Sequence, residues 1–277
     1  MRSISSPLDG FSSPFGARRL GGGAFTPASL FAGGTEGAWY DPSDLSTLFQ
    51  FSSGTTPVTA AGQPVGLMLD KSGNGNHATQ AISAKRPIYT EGSGLSWLAF
   101  DGVGDGMATA AIDFTATDEM TVFTGVRKLS NAAEGHILEF SSNFDSNDST
   151  FGIQAPGGIS AVADSAYVGI SKGTVKSFTG IALSSFPAPI SNVVSLLSDI
   201  SADTITLRVN GTQVSTSALN QGTGNYGNYP LYIGARASSS RFFKGNLYGL
   251  IIHGKAASAD EIASTEAYMA AKTGVTV

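Results

Sequence analysis

The segment Thr204–Ser217 restricts the fold of this chain more than any other. Ile205, Leu207 and Val209 alternate with polar residues, Asn210–Gly211 interrupts them, and Val214 resumes the alternation. A two-residue Asn-Gly break between two period-2 runs specifies a β-hairpin, because both turn positions need positive φ. Further short apolar runs, each bounded by Gly, Ser and Asn, extend the pattern. The expected strands are Gly66–Leu69, Trp97–Phe100, Met120–Val126, His136–Phe140, Thr150–Gln154, Val193–Leu197, Thr204–Val209, Gln213–Ser217, Leu231–Ile233 and Asn246–Ile252. Many short strands with tight turns indicate an all-β, antiparallel two-sheet jelly-roll sandwich.

Composition agrees. Only 13% of the 277 residues are charged and 35 are Gly, which excludes helical bundles and coiled coils. Two stretches read as helical. Asp44–Phe49 is expected to form one short turn or helix, and Ser258-Ala-Asp-Glu261 is a capping box opening a helix that ends at Gly274.

Residues 1–38 differ from the rest. Pro7, Pro14, Gly10, Gly16 and Gly21–Gly23 leave no helical or strand period. The expected organisation is an extended Gly/Pro-rich arm over 1–38 and one jelly-roll domain over 39–277. Such an arm can offset its ordering entropy only on other surfaces. Leu8, Phe11, Phe15, Arg18, Arg19 and Leu20 are therefore read as an assembly anchor.

Net charge is −5 and Lys and Arg form no run, so no nucleic-acid partner is expected. The uncharged stretch Ser177–Ser198 contains Pro187 and Pro189, so no membrane insertion is expected either. With no Cys, disulfides and thiolate chemistry are ruled out. Arg2 is followed by no apolar stretch, so a secretory leader is not expected.

An ordered set of motifs resembles a known family. Leu69-Asp-Lys-Ser-Gly-Asn-Gly-Asn-His-Ala-Thr79, Phe100-Asp-Gly-Val-Gly-Asp105, Met120–Arg127, Arg208-Val-Asn-Gly211, Tyr232-Ile-Gly234 and Phe243-Lys-Gly-Asn-Leu-Tyr-Gly-Leu-Ile-Ile252 precede the capped helix. Over roughly 64–272 this order resembles the laminin-G-like, concanavalin A-like lectin/glucanase superfamily. Trp39-Tyr-Asp-Pro-Ser-Asp-Leu45 and the arm resemble structural proteins of tailed bacteriophages and prophages. The resemblance implies a virion protein, tail fibre or tail tip, whose lectin-like domain faces host surface polysaccharide. It implies other virion proteins as partners of residues 1–38 and a homo-oligomer, with a trimer favoured. A capsid decoration or head-fibre protein anchored by the arm, and a polysaccharide-degrading enzyme on the same fold, are the alternatives.

Glycosidases of the superfamily carry alternating Glu and Asp on one strand. Here Glu139 stands alone on its expected strand, so no catalytic residues are assigned and the chain is read as non-enzymatic. His77, His136 and His253 share no metal-ligand spacing and are expected in loops or at sheet edges. Asp70, Ser72 and Asn74 match the first positions of a calcium loop, but Ala81 stands where the bidentate acid belongs. The loop is read as structural, with no metal and no cofactor. For sugar binding, Asn225, Tyr226, Asn228 and Tyr229 offer amides beside aromatic rings. Trp39, Trp97 and Phe100 are assigned to the core.

Overall fold

The computed structural model describes residues 25–158 and 164–277. In chain order the strands are β1 (Gly37–Tyr40), β2 (Leu48–Phe49), β3 (Leu67–Met68), β4 (Ala78–Thr79), β5 (Ile88–Gly92), β6 (Leu95–Asp101), β7 (Met107–Asp113), β8 (Glu119–Lys128), β9 (His136–Phe140), β10 (Thr150–Gln154), β11 (Ser165–Lys172), β12 (Lys176–Ala182), β13 (Ile190–Asp199), β14 (Thr204–Val209), β15 (Thr212–Ser217), β16 (Asn228–Ile233) and β17 (Lys244–His253). A helix, α1 (Ala259–Thr273), follows.

Two antiparallel sheets form the body. The first has the order β15-β14-β13-β8-β17-β6-β5, with β1 also paired to β17. The second has the order β12-β11-β10-β9-β16-β7-β4-β3-β2. The Asn-Gly hairpin forms as its residues require: Asn210 and Gly211 hold φ of 48° and 76°. Asn210 Oδ1 also accepts a hydrogen bond from the Val193 amide (2.9 Å), tying the turn to β13.

Inward residues of both sheets make one continuous core. Phe140 and Phe151 stack within it at 4.8 Å between ring centroids. Each fully buried Phe, Leu or Ile contributes about 1.5–3 kcal/mol. Trp39 and Phe100 are buried as expected, while Trp97 is half-buried beside Tyr248 (5.6 Å).

Helix α1 covers the outer face of the first sheet. Its capping box is complete: Ser258 Oγ accepts from the Glu261 amide (3.3 Å) and Glu261 Oε2 from the Ser258 amide (2.7 Å). Met269 and Ala270 pack on Trp39, Phe123, Val193 and Ile251. The close approach needs Gly125 on β8, where a Cβ would lie 2.6 Å from Thr273 Cγ2. Glu266, only 2% exposed, accepts from Ser195 Oγ (2.9 Å) and from Arg208 Nε (2.8 Å) and Nη2 (3.0 Å).

The sequence reading is corrected at three places. Residues 25–38 belong to the body, because Leu30 and Phe31 are buried in the helix-side cluster and Gly37 begins β1. The anchor residues Leu8, Phe11, Phe15, Arg18, Arg19 and Leu20 lie outside the described residues. His136 and His253 are fully buried rather than at loops or edges. The Asp44–Phe49 turn shortens to a 3-10 turn, Leu45–Thr47, before Leu48 enters β2.

Candidate functional site

With α1 on the first sheet, the opposite face of the sandwich, outside β9–β12, carries its own small apolar cluster. Val168 and Ile170 alternate outward along β11, since Ser171 points inward to Tyr226. Phe178 on β12 and Phe144 in the β9–β10 connection complete a floor separate from the main core. Over this floor lies a cleft of about 190 Å³, bordered by Gln154, Asp145, Lys176, Arg236 and Arg241.

Both arginines come from the β16–β17 connection. Ala237, Ser238 and Arg241 there hold φ of 48°, 51° and 46°. A left-handed non-Gly residue costs about 1–3 kcal/mol, so other contacts must hold the loop. The Ala237 amide donates to Glu139 Oε2 (3.0 Å), the Arg236 amide to Ser240 O (2.9 Å), and Arg241 pairs with Glu134. Arg236 pairs with Asp145 (2.5 Å) and lies 5.3 Å above the Phe144 ring. Glu139 is completely buried and also accepts from Ser141 Oγ (2.5 Å). Burial raises its pKa, against the hydrogen bonds and the Arg236 charge. It therefore acts as a fastening point beneath the arginine loop, out of contact with the cleft.

His136 supports the cleft from below. Its ring is fully buried, edge-on to Phe144 at 5.5 Å, and its Nε2 accepts from Gln154 Nε2 (3.0 Å). Burial, then the charges of Arg241 and Arg236, push its pKa down to about 3, so it is neutral with the proton on Nδ1. Gln154 is 3% exposed, borders the cleft, and its Oε1 has no partner among the described residues. Gly157 leaves room for that amide, since a Cβ there would stand 2.6 Å from Oε1.

The residues singled out for sugar binding do not form a platform. Tyr226 is 1% exposed, with its hydroxyl bonded to Ser171 Oγ (2.8 Å) and Ser198 Oγ (2.9 Å). Tyr229 packs on Phe140 at 5.6 Å. Asn225 and Asn228 are exposed, and Asn225 Nδ2 donates to Thr115 O (2.7 Å). They lie at the start of β16, whereas the arginine loop leaves its other end, about 17–20 Å away along six residues. Arg236 and Arg241 were legible only as two cations in Ala235-Arg-Ala-Ser-Ser-Ser-Arg241, within a charge-poor chain.

The Asp70 carboxylate is occupied by donors of the loop and of β1. Asp70 Oδ1 accepts from Trp39 N (2.9 Å) and Ser72 N (2.8 Å), and Oδ2 from Ser72 Oγ (2.7 Å) and Asn76 N (3.0 Å). Among the described residues, no three potential metal ligands of the His, Cys, Asp or Glu type converge. No helix there is long and apolar enough to cross a membrane.

Comparison with known proteins fits this architecture. The binding domain of botulinum neurotoxin serotype G superimposes with a TM-score of 0.55 at 12% identity, over 73% of this chain and 49% of that one. The serotype D binding domain gives 0.54 at 10%, over 73% and 49%. A Trypanosoma rangeli sialidase in complex with sialic acid gives 0.55 at 13%, over 87% of this chain and 33% of the sialidase. The chain thus spans a third to a half of these structures, and at such identity they share its fold alone. No curated protein matches the sequence. A family profile described as the concanavalin A-like lectin/glucanases superfamily covers residues 101–263, well over half the chain. With the two-sheet topology in place along that whole span, the chain belongs to this superfamily.

Proposed function

We propose that this protein is a non-catalytic glycan-binding domain, and that the cleft over β9–β12 receives the sugar. One observation carries the reading: the buried Gln154 amide, with an unpartnered oxygen, stands beside an apolar, aromatic floor and two guanidinium groups. A pyranose needs this mixture, apolar contact for the faces of its ring and fixed donors and acceptors for its hydroxyls. Membership of a superfamily of lectins and glucanases supports carbohydrate recognition.

We further propose that the domain belongs to a bacteriophage virion protein of tail-fibre or tail-tip type. The support is the likeness of the arm segment Ser6–Arg19 and of Trp39–Leu45 to tailed-phage structural proteins. Residues 1–20 would join it to other virion proteins and host polysaccharide would be its ligand.

Screening the full chain on a glycan array, then titrating the hits by calorimetry against wild type and Phe144→Ala, tests the binding reading. Binding that the substitution abolishes is expected. Binding unaffected by Phe144→Ala would move the site elsewhere. New reducing or unsaturated ends after incubation with a bound polysaccharide would overturn the non-catalytic assignment.

A further inference from the structure

We infer that the cleft selects an acidic sugar, a single carboxylate-bearing unit of the uronate type held by Arg236 and Arg241. This rests on the cleft being the sugar site and adds the chemical class of the ligand.

The charges bordering the cleft are unequal. Arg236, Arg241 and Lys176 face it, with Asp145 as the one acid among them. Two further carboxylates, Glu134 and Glu139, contact the arginine loop but do not border the cleft. Each guanidinium offers five N–H donors, and among the described side chains each forms one ion pair. Donors remain on both planar forks, the geometry that receives a carboxylate through two parallel hydrogen bonds.

Asp145 occupies the place such a ligand would take. Its side chain is 79% exposed, yet it reaches Arg236 at 2.5 Å. The Arg236 side chain is 18% exposed, but its Asp145 partner stands in solvent, where salt screens the pair and a ligand carboxylate can compete for the guanidinium. The remaining wall suits one sugar ring. Gln154 borders the wall with its amide, and Phe144 with Ile170 and Phe178 supplies apolar contact. At about 190 Å³ the cleft is smaller than the roughly 300–1,000 Å³ that drug-sized ligands occupy, which limits it to one unit.

A matched set of methyl glycosides tests the assignment. Galactose, galacturonate and galactose 6-sulfate share a ring and differ at one carbon substituent. Titration of the full chain at low and at physiological salt should show galacturonate bound most tightly, and only the anionic ligands weakened by salt. Arg236→Gln should weaken galacturonate about 10–100-fold. Asp145→Asn should tighten it roughly 2–5-fold, and by a larger factor than any change in galactose affinity. Because Asp145 is exposed, that variant keeps the test decisive if Arg236→Gln fails to fold. Equal affinity for galactose and galacturonate overturns this inference and leaves the sugar site standing. Preference for the 6-sulfate overturns the carboxylate assignment. No binding of any of the three, when the array also yields none, overturns both.

Discussion

Lowering the pH from 7 to 5 should destabilise the fold through His136 by an amount the structure sets. An unfolded chain gives the ring its ordinary value near 6.5, while burial holds the native ring near 3. Below pH 6.5 the unfolded state therefore takes up a proton that the native state refuses. The stabilisation is complete above 6.5 and is lost as pH falls toward 3. At pH 5 the native ring is still neutral, so the loss is about 1.5 pH units at about 1.36 kcal/mol each, or roughly 2 kcal/mol. Asp105 works in the opposite direction. Burial raises its carboxyl to about 6, so its penalty is present above pH 6 and relieved below, returning about 1 kcal/mol over the same interval. Glu139 is also raised, with the same sign as Asp105. The informative quantity is thus the difference between wild type and His136→Gln, because Asp105, Glu139 and His253 are common to both. Urea unfolding followed by the fluorescence of Trp39 and Trp97 at pH 7, 6 and 5 measures it. Wild type should lose about 2 kcal/mol more than the variant between pH 7 and 5. Parallel losses in the two proteins would show that native His136 takes up its proton as readily as the unfolded chain, and would refute the neutral buried ring.

Substitutions at three other positions probe separate joints. Glu266→Ala leaves Ser195 and Arg208 without their acceptor and should cost about 2–4 kcal/mol in chemical denaturation, with Glu266→Gln milder because an acceptor oxygen remains. Tyr226→Phe leaves the buried Ser171 hydroxyl without a partner, while Ser198 keeps Gln221, and should cost about 1–2 kcal/mol yet leave glycan titrations unchanged, since it lies at the far end of β16 from the cleft. Gly157→Ala places a methyl group against Gln154 Oε1 and Val168, and should lower both stability, by about 1–3 kcal/mol, and glycan affinity. A stable Gly157→Ala protein with unaltered binding would remove Gln154 from the site.

Strands whose signal lies in their own side chains were readable. His136–Phe140, Thr150–Gln154 and Thr204–Val209 form where their apolar and β-branched residues place them. The same holds for α1, whose capping box and αL Gly274 are local chemistry. What escaped were strands defined by partners: Met107–Asp113 is rich in small residues, and Ser165–Lys172 and Lys176–Ala182 are interrupted by Gly169 and Gly180. Each is a strand because its neighbours supply the ladder. Tyr226 and Tyr229 misled for a related reason. In a loop rich in Gly and Asn they look like exposed rings, but the interior hydroxyls of Ser171 and Ser198 make Tyr226 an inward group. The cleft joins residues from four separate stretches, Phe144–Asp145, Gln154, Val168–Phe178 and Arg236–Arg241, and no spacing along the chain announces that meeting.

Phe25, where the described chain enters, and Val275, near its far end, both pack into the cluster beneath α1, on the outer side of the first sheet. The arginine cleft opens on the outer side of the second. The two ends of the described body and the cleft therefore lie on opposite faces, with the full thickness of the sandwich between them. A copy tethered through the residues before Phe25 would hold its cleft away from the support, and identical copies arranged around a common axis by those tethers would all present it outward. Reach and avidity would then be set by the geometry of the support rather than by any movement within the domain.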